Sequence, residues 1–131
     1  MKILVDTNII IYDLVEDSQF HKEAEEILDK ADTWVIPTIV IHELVWFLKG
    51  NNLEKIEYVS AYLENPKTEV VCEEYEVVRK AIEIITKEKL SLSRYNDAVV
   101  LAHTISRKLP LVTFDKRLSS LAKRYGVEVL R

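Results

Sequence analysis

Two glycines, three prolines and one cysteine in 131 residues leave this chain few means of making flexible linkers, kinks or covalent staples. With so little Gly and Pro, no low-complexity stretch and no internal repeat, it reads as a single domain over residues 1–131 with one sizeable core. A lone cysteine excludes an internal disulfide and agrees with a reducing compartment. Cys72 ends an apolar run with no His or basic neighbour, so it is expected to be a small buried hydrophobe rather than a nucleophile. No apolar run approaches the roughly 20 residues of a membrane span, and no basic leader with a cleavage site precedes the first strand pattern, so a cytoplasmic protein is expected. Positive charge is not in excess either: 18 Lys and Arg against 22 Asp and Glu give a net charge of −4. Long-range attraction to a polyanion is therefore not what the composition offers.

What is present is an alternation of short β-branched runs with helical patterns. Lys2 to Val5 is an apolar strand that stops on Asp6-Thr7-Asn8, followed by a helical pattern to Val15 and a second, with Ser18 as N-cap, to Lys30. Thr33 to Ile36 is a strand ended by Pro37. Thr38 to Lys49 is a helix apolar around nearly its whole circumference and hence expected to be mostly buried. A helix from Leu53 to Leu63 follows, with Ile56, Val59, Ser60 and Leu63 on its stripe, then a strand at Glu69 to Cys72 and an amphipathic helix from Glu73 to Lys89 that turns Val77, Ala81, Ile84 and Ile85 inward. Ser93 is expected to cap a helix that carries Asp97 in its first turn and His103, packed or solvated, on another face. A strand at Leu109 to Thr113, a helix after Asp115 and a last strand at Val127 to Leu130 complete the chain. This order predicts an α/β fold, a three-layer α/β/α sandwich around a central, mostly parallel sheet.

Four carboxylates stand out by position. Asp6 and Asp115 directly follow apolar strands, where parallel sheets bind ligands. Glu43 projects from the apolar helix among Ile39, Val40, Trp46 and Phe47, where a charge needs a cation, a strong hydrogen bond or a solvated cleft. Asp97 lies at a helix start. Taken singly, each Asp is equally a helix cap or first-turn residue. Taken together, four carboxylates about 6 Å apart repel by roughly 3 kcal/mol per pair at an effective dielectric near 20. Six such pairs rival the roughly 5 to 15 kcal/mol that holds a domain together, so protonation or cations must relieve them. With no cysteine ligand and no obvious histidine, the oxygen-only set suits Mg²⁺ or Mn²⁺.

Asp6-Thr7-Asn8 after the first strand, Glu43 on the apolar helix, Asp97-Ala98 at a helix start and Thr113-Phe114-Asp115 after a late strand resemble the PIN-domain ribonucleases, and length and element order resemble the VapC-type toxins of toxin-antitoxin pairs. The resemblance covers essentially the whole chain. It implies that the first and fourth strands are neighbours, that Asp6, Glu43, Asp97 and Asp115 hold one or two divalent cations, and that Asn8 and Thr113 support them. It also implies metal-dependent hydrolysis of RNA, single-stranded at the cleavage site, with an antitoxin protein and a second copy of the chain as partners. Lys49, Arg94, Lys116 and Arg117 are phosphate-contact candidates, the last three favoured because they flank ligand positions. Several relatives carry a further acid just after the last-strand Asp, where this chain has Lys116 and Arg117.

Two other classes remain open on sequence alone. A Mg²⁺-dependent phosphoryl-transfer domain, a phosphatase or a receiver, also uses strand-end Asp. The phosphatase pattern, however, wants an acid where Asn8 stands, and the receiver wants an acceptor Asp where Cys72 is followed by Glu73. A non-catalytic interaction protein with the same fold would have carboxylates that bind no metal.

Overall fold

The apolar run that opens the chain forms β1 (Lys2–Val5), and Ile3, Leu4 and Val5 are buried because helices cover the sheet that β1 centres. In the computed structural model, which describes residues 1–131, β1 is followed by α1 (Thr7–Leu14), α2 (His21–Lys30), β2 (Thr33–Pro37), α3 (Thr38–Gly50) and α4 (Ile56–Leu63). Then come β3 (Thr68–Val71), α5 (Tyr75–Glu88), a 3₁₀ turn at Leu92–Arg94, α6 (Tyr95–Arg107), β4 (Leu111–Val112), α7 (Lys116–Arg124) and β5 (Val129–Leu130). The five strands run in the order β3-β2-β1-β4-β5 with every pairing parallel, so the sheet is wholly rather than mostly parallel.

Strand order decides where a ligand can bind. β2 and β3 extend the sheet to one side of β1, β4 and β5 to the other, so the winding direction reverses between β1 and β4 and a crevice opens beyond their carboxyl ends. Val5 is in register with Val112, and the Asp6 amide donates to the Val112 carbonyl at 3.1 Å. Asp6 and Thr113 therefore leave the sheet side by side, as expected of adjacent first and fourth strands.

Helix α5 buries the face its pattern predicts, with Val77, Ala81, Ile84 and Ile85 all inside, and in α6 Ala98 through Thr104, His103 among them, form an unbroken buried run. Elsewhere the expectations need correction. Helix α3 fully buries only the line Val40, Leu44 and Leu48, with Ile39, Ile41 and Phe47 partly buried against the core, while Val45 and Trp46, the latter 64% exposed, stand on the face turned away from it. Helix α4 starts later than its apolar pattern and leaves Ile56 and Leu63 exposed; only Tyr62 is buried, its hydroxyl donating to Asp13 Oδ2 at 2.7 Å. Tyr62 is thus a core residue, whereas Trp46 is on the surface. Cys72 is exposed, since β3 ends with Val71 turned inward and the alternation of a strand sends the next residue out.

Ser18 does not cap α2, which begins at His21; its hydroxyl donates to the Tyr12 carbonyl instead. Ser91, not Ser93, makes the cap before α6, accepting from the Ser93 amide at the 3₁₀ turn. The scarcity of glycine has a visible consequence at helix ends: α5 and α6 finish on Lys89 and Lys108, both left-handed at φ 54° and 55°. A glycine would take that conformation without strain.

Candidate active site

Asp6, Thr7, Asn8 and Ile11 from the end of β1 and the start of α1, Glu43 from α3, Asp97 from α6 and Asp115 from the β4–α7 junction line one cleft of about 270 Å³. All four carboxylates singled out from the sequence are thus brought together at the carboxyl edge of the sheet.

For Asp6 and Asp115 the helix-cap reading and the cleft reading both hold, on different oxygens in the case of Asp6. Its Oδ1 accepts from the Thr7 amide at 2.8 Å as the N-cap of α1, while Oδ2 accepts from the Thr113 hydroxyl at 2.7 Å and from Asn8 Nδ2 at 3.1 Å. Asp115 Oδ1 takes the Arg117 and Leu118 amides at 2.8 and 3.1 Å as the N-cap of α7, which leaves Oδ2 without a protein donor.

Asn8 and Thr113, expected as supports, are locked by the backbone. The Phe114 amide donates to Asn8 Oδ1 at 3.2 Å, which fixes the amide so that Nδ2 faces Asp6 and Thr113. Thr113 Oγ1 accepts from Asn8 Nδ2 at 3.2 Å and from the Asp115 amide at 3.1 Å, so its one proton is directed at Asp6 Oδ2.

The opposite wall holds two contributors that the sequence analysis passed over. Glu43 Oε1 accepts from the Thr7 hydroxyl at 2.6 Å and Oε2 from Asn96 Nδ2 at 3.2 Å. Thr7 and Asn96 each adjoin an acid in the chain, one after Asp6 and one before Asp97; a short polar donor beside a cleft carboxylate was the only signal available. Asp97 Oδ2 pairs with Arg94 Nε at 2.9 Å, and nothing donates to Oδ1.

Electrostatics makes the cleft short of positive charge. Burial pushes the Asp6 carboxyl up from 3.8 to about 7; the Thr113 hydroxyl and the Thr7 amide pull it down, and the charges of Asp97 and Glu43 push it further up. Arg94 is the only cationic side chain paired with any of the four acids. An oxygen-only donor set with such a deficit fits a hard divalent cation. As the side chains stand, no three of them converge on one point suitable for an ion: Arg94 holds Asp97, and Thr7 and Asn96 hold Glu43.

The cationic candidates lie outside the carboxylate cleft. Lys116 and Arg117 begin α7 and, with Arg94, Ser120 and Arg124, line a groove of about 330 Å³. A second groove, of about 310 Å³, shares Lys116 and Ser120 and adds Phe114, Lys123 and Arg131; Asp115 lines both it and the carboxylate cleft. Lys49 is not at either; its ammonium lies 5.0 Å over the Trp46 ring, beside an apolar depression between α3 and α4.

Residues 3–124 match the PIN domain family. The chain belongs to that family. PIN domains are typically nucleases and generally use divalent metals. No curated protein matches the chain by sequence at a significant level. Among solved structures, VapC20 of Mycobacterium tuberculosis, a toxin that cleaves the sarcin-ricin loop, is 18% identical with a TM-score of 0.76 over 90% of this chain and 93% of its own. VapBC2 of Rickettsia felis, bound to a DNA fragment from its promoter, is 19% identical with a TM-score of 0.69 over 99% and 98%. A Klebsiella pneumoniae toxin-antitoxin complex is 22% identical with a TM-score of 0.65 over 87% of each chain. At these identities the likeness speaks for the fold alone.

Proposed function

We propose that this PIN domain is a divalent-cation-dependent ribonuclease that hydrolyses RNA phosphodiester bonds, the toxin of a toxin-antitoxin pair. The observation that carries it is the gathering of Asp6, Glu43, Asp97 and Asp115 around one cleft in which Arg94 is the only cationic side chain paired with any of them. These four would hold Mg²⁺ or Mn²⁺, with Asn8 and Thr113 orienting Asp6. The bound cation supplies Lewis-acid activation of water and neutralisation of charge at the phosphate.

The chain's own residues account for binding and orientation. Thr113 keeps Asp6 Oδ2 facing the cleft, and Thr7 and Asn96 hold Glu43 across from it. Arg94 Nη2 is buried without a hydrogen-bond partner, which suits a guanidinium that exchanges Asp97 for a substrate phosphate. Lys116 and Arg117 continue that surface, and the two grooves that meet at Lys116 offer a single strand a cationic track past Asp115. None of Lys116, Arg117, Lys123 and Arg131 is spent in an ion pair.

An antitoxin partner is supported by the toxin-antitoxin complexes among the similar structures and by apolar surface on α3 and α4, where Val45, Trp46 and Ile56 are exposed. A second copy of the chain is the other partner we propose. The exposed stripe Tyr75, Val78 and Ile82 on α5 supports it, and the mass in solution tests it.

The enzymatic test is incubation with labelled single-stranded RNA in Mg²⁺, Mn²⁺ or EDTA, beside Asp6→Asn. Cleavage in either cation and none in EDTA or with Asp6→Asn is expected. Cleavage that survives both would refute the proposal.

A further inference from the structure

The partly buried Glu73 and the wholly buried His103 form a pair that neither capping nor cleft chemistry of the four acids uses. Helix α3 begins after Pro37, which occupies the cap position and offers no side chain to the first-turn amides. Glu73, just past the end of β3, supplies what Pro37 lacks. Its Oε1 accepts from the Thr38 hydroxyl at 2.8 Å, and Oε2 lies 3.4 Å from the Ile39 amide, at the positive end of the helix dipole. From the other side Oε2 meets His103 Nε2 at 3.0 Å.

His103 sits on α6 and is wholly buried. Burial holds its imidazole below the ordinary value against the opposing pull of Glu73, so the ring is neutral at neutral pH, and because a carboxylate only accepts, its proton is on Nε2. Nδ1 has no partner, which leaves Glu73 as the ring's one polar contact. A wholly buried imidazole with an orphan nitrogen is a poor stability device, since a buried polar group left unpaired costs free energy. The geometry of the pair serves another end. Helices α3 and α6 are tied at two places, Glu73 joining Thr38 and Ile39 to His103, and Glu43 meeting Asn96. The second tie lies roughly 6 Å further along α3 and roughly 10 Å back along α6, at 1.5 Å per residue.

We propose that Glu73 is a positioning residue: by capping α3 and pinning it through His103 to α6, it sets how Glu43 stands against Asp97 and so the affinity of the cleft for a divalent cation. The consequence for affinity rests on the proposed function of the cleft; the pinning of α3 does not.

The test is Mn²⁺ titration of the full chain, by calorimetry or electron paramagnetic resonance, for wild type, Glu73→Ala, Glu73→Gln and Ile84→Val. The last is a control in the buried face of α5 that loses stability without touching either tie. Glu73→Ala is expected to weaken Mn²⁺ binding about tenfold, the lower end of what removal of a ligand's supporting partner costs. Glu73→Gln should stay within about threefold, because its carbonyl can accept from Ile39 and His103 while its amide donates to the Thr38 hydroxyl. Ile84→Val should bind as wild type does. Wild-type affinity in Glu73→Ala, or equal losses in Glu73→Ala and Ile84→Val, would overturn the proposal. If wild type binds no Mn²⁺, the cation reading fails, and hydrogen exchange of the amides from Ile39 to Glu43 judges the pinning. Exchange accelerated in Glu73→Ala but not in Ile84→Val upholds it, and unchanged exchange overturns it.

Discussion

Replacing Asp6 by Asn should change how the stability of the metal-free protein depends on pH, and the size of the change follows from its burial. The carboxyl is raised from 3.8 to about 7, and a shift of about 3 units corresponds to about 4 kcal/mol. The sign follows from which state ionises first. Below the unfolded value both states are protonated and there is no penalty. As pH rises through 3.8 the unfolded chain ionises while the folded one does not, so stability falls until the folded carboxyl itself ionises near 7. The asparagine variant has no such proton. It also loses charge-assisted bonds from Thr113 and Thr7 and sets its amide against that of Asn8, but those losses offset its curve by a nearly constant amount. The robust quantity is therefore the difference between the two curves, which should move in favour of Asn by about 3 kcal/mol between pH 5 and pH 8. Urea unfolding in EDTA at four pH values measures it. Adding Mn²⁺ at pH 8 should stabilise wild type, by about 3 kcal/mol at one hundred times the dissociation constant, and leave Asp6→Asn nearly unmoved. Parallel curves in EDTA would refute the claim that Asp6 is crowded and buried at the expense of stability.

Thr113→Val removes the donor to Asp6 Oδ2 and the acceptor for Asn8 and the Asp115 amide, so it should raise the Asp6 carboxyl above its wild-type value and cost about 2 to 3 kcal/mol at pH 8. Carboxyl carbon NMR checks the direction, and a lowered value would contradict the hydrogen-bond assignment. The double change Lys116→Ala with Arg117→Ala should flatten the dependence of log K on log salt for an RNA single strand, measured in EDTA, by about 1.4 if each side chain meets one phosphate. An unaltered slope would remove these two from the RNA track. Lys108→Gly should stabilise by about 0.5 to 1 kcal/mol, relief of left-handed strain less the entropy of glycine in the unfolded chain, and raise the melting temperature by about 2 to 4 °C.

Much of this architecture was legible in the sequence because an all-parallel sheet writes itself as short β-branched runs between amphipathic helices, and because strand ends are where acids become conspicuous. Glu43 is the instructive case. The sequence argument for it rests on a mostly buried helix, whereas α3 fully buries a single line of side chains; the position still faces the cleft, because it lies at the edge of that line between the half-buried Ile39 and Phe47. The fourth strand shrank from an apolar run of five residues to Leu111–Val112, since Pro110 has no amide proton to give a neighbour and only its carbonyl joins the sheet, accepting from Leu4. Thr7, Asn96, Glu73 and His103 were out of reach for a different reason. Their partners lie more than 25 residues away in the chain, and a hydrogen bond across that span leaves no periodic trace.

The Thr113 hydroxyl, with two N–H groups aimed at it and one proton to give, has a consequence for how the site responds to charge. Polarisation can run through it in one direction only, from the backbone at Asp115 toward Asp6. A ligand that draws electron density from Asp6 Oδ2 makes it a poorer acceptor and therefore loosens the same chain of dipoles that ends on the first turn of α7, where Lys116 and Arg117 begin. The acidic and the basic halves of the molecule's working edge are wired in series through one threonine.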